Sequence, residues 1–454
     1  GGGELTPYAT IGGGSHDSYE STAGVSGGGE RSWFNVSASG TGTGGINACD
    51  ANLSGGCFVD EPDKDGYRNQ SGTVRVGHRF GQNTELDFHY LRAEGDNRSD
   101  GSIFSGNESD TLEEVYGTSL RFAPIAAWLA TVQAGRSRDE IDSFKDSVFV
   151  SRFNTQRESV SFQNDFTLAP KQLVTIGTDY VGDRISSSTA YPVTSRRNDG
   201  LFTQYQGGFG AHDVQLSLRR DDNEQFGNES TGSAAWGYAF SGGARVTLSY
   251  GTAFKAPSFN ELYFPFFGTP TLEPEQSETS EVGVSNKHGW GRWAINAYET
   301  DVDQLSGFDT AFRAINIDLA RIRGVEGQLN WHAAEWEINS VATWLDPENR
   351  TEGANVGKVL PRRAQRIMRI DVDRRIGQFR VGTRVQAEGH RYDDLANARR
   401  LGGYTTVDLL SEYAVTKRWL LQARIENMLD KDYETAKFFN QPGRGYFFTL
   451  RYQP

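Results

Sequence analysis

The chain has 454 residues, a formal net charge of −13, 36% hydrophobic residues and 12% aromatic residues. An acidic chain is a poor partner for polyanions, so no nucleic-acid binding is expected. No run of ~18 apolar residues is present, which excludes a helical membrane span but not transmembrane strands, since these show lipid only alternate side chains. The 27 Phe, 18 Tyr and 9 Trp argue against disorder.

Apolar side chains recur at every second residue along most of the chain. Val246, Leu248 and Tyr250, for example, alternate with Arg245 and Thr247. A period of two is typical of strands with one apolar face. In chain order the pattern predicts 22 strands, at approximately 5–13, 18–27, 31–41, 67–80, 83–95, 111–122, 127–138, 155–168, 171–186, 196–209, 211–223, 231–240, 243–254, 276–287, 291–305, 312–332, 334–346, 361–375, 377–391, 402–414, 417–428 and 443–452.

The connections between these strands alternate in length. Short turns, several of them glycine-containing, alternate with polar loops at 42–66, 96–110, 139–154, 187–195, 255–275, 347–360, 392–401 and 429–442. A β-sandwich would not place every long loop at one end, whereas an outer-membrane barrel does. Five tryptophans lie near the short turns, as in an interfacial aromatic girdle: Trp128, Trp236, Trp293, Trp336 and Trp419. The sequence therefore predicts an all-β fold, a transmembrane antiparallel β-barrel of about 22 strands with short periplasmic turns and long extracellular loops.

The face opposite the apolar one is predicted to be polar and to line the barrel. The charged side chains assigned to it are Arg75, Arg79, Arg245, Arg323, Arg384, Arg424, Glu326 and Glu426. A barrel of 22 strands is too wide for side chains alone to fill, so its lumen is either open or plugged. The expected function is passage of a solute across the outer membrane of a Gram-negative bacterium, without enzymatic chemistry.

Three segments carry a resemblance to a known family. Residues 250–263 read YGTAFKAPSFNELY, residues 269–275 read TPTLEPE, and residues 425–435 read IENMLDKDYET. These resemble the signatures of TonB-dependent outer-membrane receptors. The final strand, which ends on Tyr452, is similar to the signal read by the barrel-assembly machinery. The resemblance implies a monomer that takes up a scarce nutrient with energy supplied through TonB.

Within that family the chain looks most like the cobalamin (vitamin B12) transporters. The similarity lies in RDDNEQFG at 220–227, RYD at 391–393 and DKDYET at 430–435. Receptors for ferric siderophores or haem use the same barrel, so they remain an alternative.

Residue 5 already begins a predicted strand, and no leader pattern follows Gly1. The interpretation is a single barrel domain over 1–454, without the plug domain, TonB-engaging motif or signal peptide of the family. A passive porin-like pore is therefore a second alternative.

Two acidic loops provide candidate calcium ligands. Glu61, Asp63 and Asp65 lie in one, and Asp96 and Asp100 lie in the next. Calcium takes six to eight oxygen ligands, and loops at the same end of a barrel can converge. The resemblance implies that calcium orders the ligand site here. The alternative is a solvated acidic rim without an ion.

Two groups of loop aromatics are candidate ligand contacts. The first is Tyr263, Phe264, Phe266 and Phe267, and the second is Phe438 and Phe439. Aromatic rings suit a flat, amphipathic ligand such as a corrin, although loops that simply pack on one another would also contain them. The only cysteines, Cys49 and Cys57, lie close together in a polar loop, which favours a disulfide in an exported protein.

Overall fold

The computed structural model describes residues 3–50, 61–101, 106–309 and 311–454. Twenty-two strands form one antiparallel sheet in which each strand pairs with its neighbours in the chain. The first strand pairs with the last, with Ala9 opposite Tyr452 and Gly14 opposite Phe447, so the sheet closes into a barrel. The predicted fold class and strand number are confirmed. No helix in the described ranges has the length and apolar character needed to cross a membrane.

The strands of the barrel wall are long, and several exceed the ~10 residues that cross a bilayer. Their bounds are β1 (Thr6–Gly14), β2 (Ser18–Gly28), β3 (Ser32–Thr43), β4 (Tyr67–Phe80), β5 (Thr84–Arg98), β6 (Glu108–Ile125), β7 (Trp128–Lys145), β8 (Val148–Ala169), β9 (Gln172–Ser187), β10 (Ser195–Phe209), β11 (His212–Asn223), β12 (Gly227–Ala239), β13 (Ala244–Lys255), β14 (Glu275–His288), β15 (Gly291–Phe308), β16 (Ala314–Ala333), β17 (Trp336–Asn349), β18 (Arg366–Ile376), β19 (Phe379–Glu388), β22 (Tyr404–Ala414), β23 (Trp419–Glu426) and β26 (Gly445–Tyr452).

Four further strands and one helix lie in the parts of the loops that the structure describes. Strand β20 (Arg391–Tyr392) pairs with β21 (Arg400–Leu401), and β24 (Glu434–Ala436) pairs with β25 (Phe439–Asn440). Helix α1 (Phe259–Tyr263) has five residues. The long loops therefore carry regular structure of their own.

One end of the barrel carries only short turns. Ten connections there have two to four residues, among them 210–211 and 377–378. Gly210 and Gly377 adopt φ of +63° and +60°, a left-handed conformation in which glycine avoids a steric cost. The connections at the opposite end reach 23 residues, at 44–66. We call these the short-turn end and the long-loop end, and their segregation confirms the prediction from the sequence.

The predicted loop at 139–154 is wrong. Strands β7 and β8 run through this range and meet at a two-residue turn, Asp146 and Ser147. Both residues have positive φ, 50° and 64°, as a type I′ hairpin requires. The polar side chains that suggested a loop form ion pairs on the strands, such as Arg138 with Glu140 at 2.6 Å. The barrel wall therefore extends beyond the apolar part of these strands.

The two faces of the wall differ as predicted. On the outer face, Val325 lies opposite Trp344 and Trp236 lies opposite Leu248. On the inner face, Asp87 accepts hydrogen bonds from Arg75 Nε at 3.0 Å and Trp33 Nε1 at 3.3 Å. The five predicted girdle tryptophans lie on strands β7, β12, β15, β17 and β23, each within four residues of a short turn.

Arg323 is an exception to the predicted inner face. It lies two residues from Val325, so the two side chains share the outer face, and it pairs with Glu299 of β15 at 2.5 Å. Glu326, three residues away, lies on the opposite face of the same strand. The two residues could not both point inward.

The β7–β8 turn offers a test of this geometry. Ser147→Gly is expected to raise the free energy of unfolding by about 1 kcal/mol, because the left-handed conformation disfavours a residue with a Cβ. Ser161→Gly, in the middle of β8, serves as the control and should lower it by about 0.5 kcal/mol. Urea titrations in lipid vesicles, followed by tryptophan fluorescence, measure both. Destabilisation by Ser147→Gly would contradict the turn assignment.

Candidate functional site

Three of the predicted calcium ligands meet at the long-loop end. Carboxylate oxygens of Glu61, Asp63 and Asp100 lie within 4.8 Å of one another. They come from two loops, 44–66 and 99–107, which are joined where Gly101 N–H donates to Glu61 Oε2 at 2.9 Å. The three carboxylates form an oxygen-only donor set of the kind that a hard cation prefers.

The segment that carries Glu61 and Asp63 is held against the start of its own loop. Gly45 has φ of +71°, and a Cβ there would overlap with the carbonyl oxygen of Asp65. The Asp65 N–H donates to Ile46 O at 2.8 Å, and the Ala48 N–H donates to Asp65 Oδ2 at 2.7 Å. The absence of a side chain at Gly45 therefore allows the two stretches to touch.

The other two predicted ligands lie outside the group of three. The Asp65 carboxylate is occupied by the Ala48 N–H. Burial raises its pKa, against the effect of that hydrogen bond, and the charges of Asp63 and Glu61 raise it further. Asp96 lies opposite Arg68 on strands β4 and β5, and its Oδ2 accepts from Arg68 Nε and Nη2 at 2.8 and 2.6 Å. Cross-strand pairing thus removes Asp96 from the site.

The second aromatic group lies in a loop that is hydrogen-bonded to the loop carrying Glu61 and Asp63. Phe438 and Phe439 belong to the last loop, which pairs with the 44–50 stretch through Asp50 N to Phe438 O at 2.8 Å and Asn440 N to Ala48 O at 2.9 Å. Phe438 has φ of +72°, and Lys437 Nζ lies 4.8 Å from its ring centroid. The loop with these two rings is therefore bonded to the loop that carries Glu61 and Asp63, which is in turn joined to the loop of Asp100 through Glu61.

The first aromatic group belongs to the separate loop 256–274. Helix α1 begins at a capping box in which Ser258 N donates to Glu261 Oε2 at 2.7 Å and Glu261 N donates to Ser258 Oγ at 3.3 Å. Leu262 is fully buried and packs with Leu272 and Ala314. This small core fixes the loop on the rim.

Within that loop the four predicted aromatics have different environments. Tyr263 packs on the small core, and its hydroxyl accepts from Gln225 Nε2 at 2.6 Å. The rings of Phe264 and Phe267 lie 6.0 Å apart. Phe266 is 93% exposed. Tyr263 therefore stabilises the loop, whereas Phe266 is available to a ligand.

One aromatic of this cluster was missed from the sequence. Tyr191, in loop 188–194, donates from its hydroxyl to Asn260 Oδ1 at 2.6 Å. Its ring centroid lies 5.7 Å from that of Phe153 and 6.5 Å from that of Phe264. The sequence feature that could have indicated it is a single tyrosine in an otherwise polar external loop. Cys49 is buried, and Cys57 lies outside the described residues, so the disulfide stays a prediction.

Comparison with known proteins identifies the family. The model of the family described as "TonB dependent receptor-like, beta-barrel" matches residues 8–428 of the chain. The chain belongs to this family. It is 27% identical to the vitamin B12 transporter BtuB of Photobacterium profundum, over 99% of this chain and 74% of that protein. It is also 27% identical to BtuB of Vibrio vulnificus, over 86% of this chain and 65% of that protein. The chain thus spans about two thirds to three quarters of the length of these relatives.

Solved structures of other receptors share the fold. The ferric enterobactin receptor PfeA of Pseudomonas aeruginosa superimposes with a TM-score of 0.82 at 16% identity, covering 100% of this chain and 81% of that one. The siderophore receptor PirA of Acinetobacter baumannii gives 0.82 at 15% identity, over 99% and 80%. The copper transporter OprC gives 0.83 at 14% identity, over 100% and 81%. Similarities at this identity show the fold alone.

The raised pKa of Asp65 predicts a local pH dependence. The folded chain holds this proton more tightly than an unfolded one, so the stability of the 61–66 segment should rise as pH falls through the folded-state pKa. Hydrogen exchange at the Asp65 amide, which donates to Ile46 O, should show greater protection at acidic pH than at pH 7 once it is corrected for its intrinsic rate. In Asp65→Asn this dependence should disappear. A protection factor that falls on acidification of the parent chain would contradict the assignment.

Proposed function

We propose that the chain is the barrel of an outer-membrane receptor that takes up cobalamin by active transport in a Gram-negative bacterium. The observation that carries the choice of ligand is its likeness to vitamin B12 transporters over 99% of its length. Siderophore and copper receptors share the barrel but at 14–16% identity. In the complete protein, the barrel works with its own plug domain and with TonB, and the barrel-assembly machinery inserts it as a monomer.

The rim offers the two kinds of contact that a corrinoid needs. A corrin ring is broad and apolar on its faces, and exposed rings such as Phe266 can pack on it. Amides at its edge need polar partners, and the first and last long loops supply them where Asn440 Nδ2 donates to Asp50 Oδ1 at 3.0 Å. Transport requires no bond to be made or broken, so the task of these residues is capture and orientation over the lumen.

We further propose that calcium binds between loops 44–66 and 99–107. Glu61, Asp63 and Asp100 would hold it, and a bound cation would offset the repulsion of three carboxylates within 4.8 Å. Since the 44–50 stretch also contacts Phe438 and Asn440, fixing the first loop fixes the last one.

Asp63→Asn tests the calcium proposal. Loss of one anionic ligand should weaken calcium binding to the refolded chain at least tenfold, measured by isothermal titration. Asp432→Asn, an exposed acid in the last loop outside the group of three, is the matched control and should bind as the parent does. Equal affinities for the parent and Asp63→Asn would remove the ion from this site.

Phe266→Ala tests the ligand contact. Removing an exposed ring that packs on the corrin should weaken cyanocobalamin binding about tenfold, equivalent to ~1.4 kcal/mol. Phe149→Ala, an exposed ring on β8, should leave the affinity unchanged. Binding is measured by equilibrium dialysis in calcium. Saturable binding of a ferric siderophore or haem with none of cyanocobalamin would overturn the proposed ligand and favour the alternative receptor class.

A further inference from the structure

The outer face of the barrel carries a groove of about 910 Å³ between β15 and β22. Small residues form its floor: Gly327 lies opposite Ala342 on the neighbouring strand. Ala342 and Ala387 lie opposite Met368 from the strands on its two sides. A Cβ added at Gly327 would meet no atom within 4 Å, so the space above this floor is open.

Large apolar side chains surround the floor. Ile295, Val325, Trp344 and Met368 line the groove, and each is at least 40% exposed. Their register places them on the same outer face as the floor residues. In a transmembrane barrel this face meets the acyl chains of the bilayer, and a depression among bulky neighbours has the shape to accept one of them.

The long-loop end of the groove is cationic. Arg366, the first residue of β18, lies opposite Trp344 and therefore shares the outer face. Lys431 reaches the groove from the last loop, where Asn427 fixes its backbone through Lys431 N to Asn427 Oδ1 and Asn427 Nδ2 to Lys431 O, both at 2.9 Å. Asn427 is itself held by Asp408 at 2.8 Å.

These two cations differ from others nearby. Arg323 is paired with Glu299 at 2.5 Å and Arg321 with Asp301 at 2.6 Å. Among the residues that the structure describes, no carboxylate lies within 4.0 Å of Arg366 or Lys431. The one carboxylate that lines the groove, Glu388, is paired with Arg391.

We propose that this groove binds a phosphorylated glycolipid of the outer leaflet. One acyl chain lies over Gly327, Ala342 and Ala387, and a phosphate lies between Arg366 and Lys431. A guanidinium binds phosphate oxygens through a pair of N–H donors, and an ammonium adds a point charge. The site is outside the lumen, so the proposal does not depend on which solute the receptor transports.

A second groove provides an internal comparison. It holds about 540 Å³ and is lined by outer-face residues such as Val372, Val381, Leu409 and Phe448. Among the described residues that line it, Arg424 is the cation, but its register between Ala423 and Ile425 places it on the inner face, where it is paired with Glu426 at 2.9 Å. An apolar depression without unpaired charge should take up lipid chains without preference for a phosphate.

Native mass spectrometry of the refolded chain in a nonionic detergent tests the proposal. Diphosphoryl lipid A is the probe, and dephosphorylated lipid A and inorganic phosphate are the comparison ligands. One diphosphoryl lipid A should remain bound per barrel, and retention of the dephosphorylated form should be at least tenfold lower. Retention of inorganic phosphate alone would assign a free-anion site and overturn the proposal.

Variants separate the head-group site from the chain site. Arg366→Gln combined with Lys431→Gln should lower retention of diphosphoryl lipid A at least tenfold. Gly327→Leu, which fills the floor without changing charge, should lower retention of both forms of lipid A. Arg323→Gln removes an outer-face cation that is already paired and should leave retention unchanged.

Other outcomes would overturn the proposal. One is equal retention of diphosphoryl lipid A by the double variant and the parent, and another is an equal loss of retention in Arg323→Gln. A third is a dimer that forms without lipid and that Gly327→Leu abolishes, which would assign the groove to a second copy of the chain.

Discussion

The pairing of β1 with β26 is the interaction on which the rest of the structure depends. Without it the sheet would expose two rows of unpaired N–H and C=O groups in lipid, where no water can satisfy them. With Ala9 opposite Tyr452, every strand of the wall has two neighbours. Closure also separates an inner from an outer face, and it brings the last loop beside the first long one.

That juxtaposition builds the candidate site. The 44–50 stretch lies between the acidic segment at 61–66 and the last loop, with hydrogen bonds to both. The 256–274 loop is stabilised independently by the capping box of α1 and by the buried Leu262. The rim is thus made of two preformed units, one acidic and aromatic and the other chiefly aromatic. Preformed loops lower the entropy cost of binding a large ligand.

Much of the fold could be predicted from the sequence, because one apolar face imposes a period of two and the short turns carry recognisable residues. The errors have physical reasons. The β7–β8 hairpin was predicted as a loop because charged residues fill it, but these pair on and across the strands, as Arg152 of β8 does with Asp142 of β7. The error at Arg323 is one of alternation, since a residue three positions from Glu326 lies on the other face of the strand. The pairing of Asp96 with Arg68 and the approach of Tyr191 to Asn260 likewise join residues distant in sequence.

The central claim is that rim loops over a wide lumen recognise a corrinoid. Single-channel conductance of the refolded chain in a planar bilayer tests it most directly, with cyanocobalamin titrated on the long-loop side in calcium. The account predicts large, steady steps that micromolar cyanocobalamin reduces and that recover when a chelator removes calcium. Large steps that cyanocobalamin leaves unchanged, but that a ferric siderophore blocks, would contradict it.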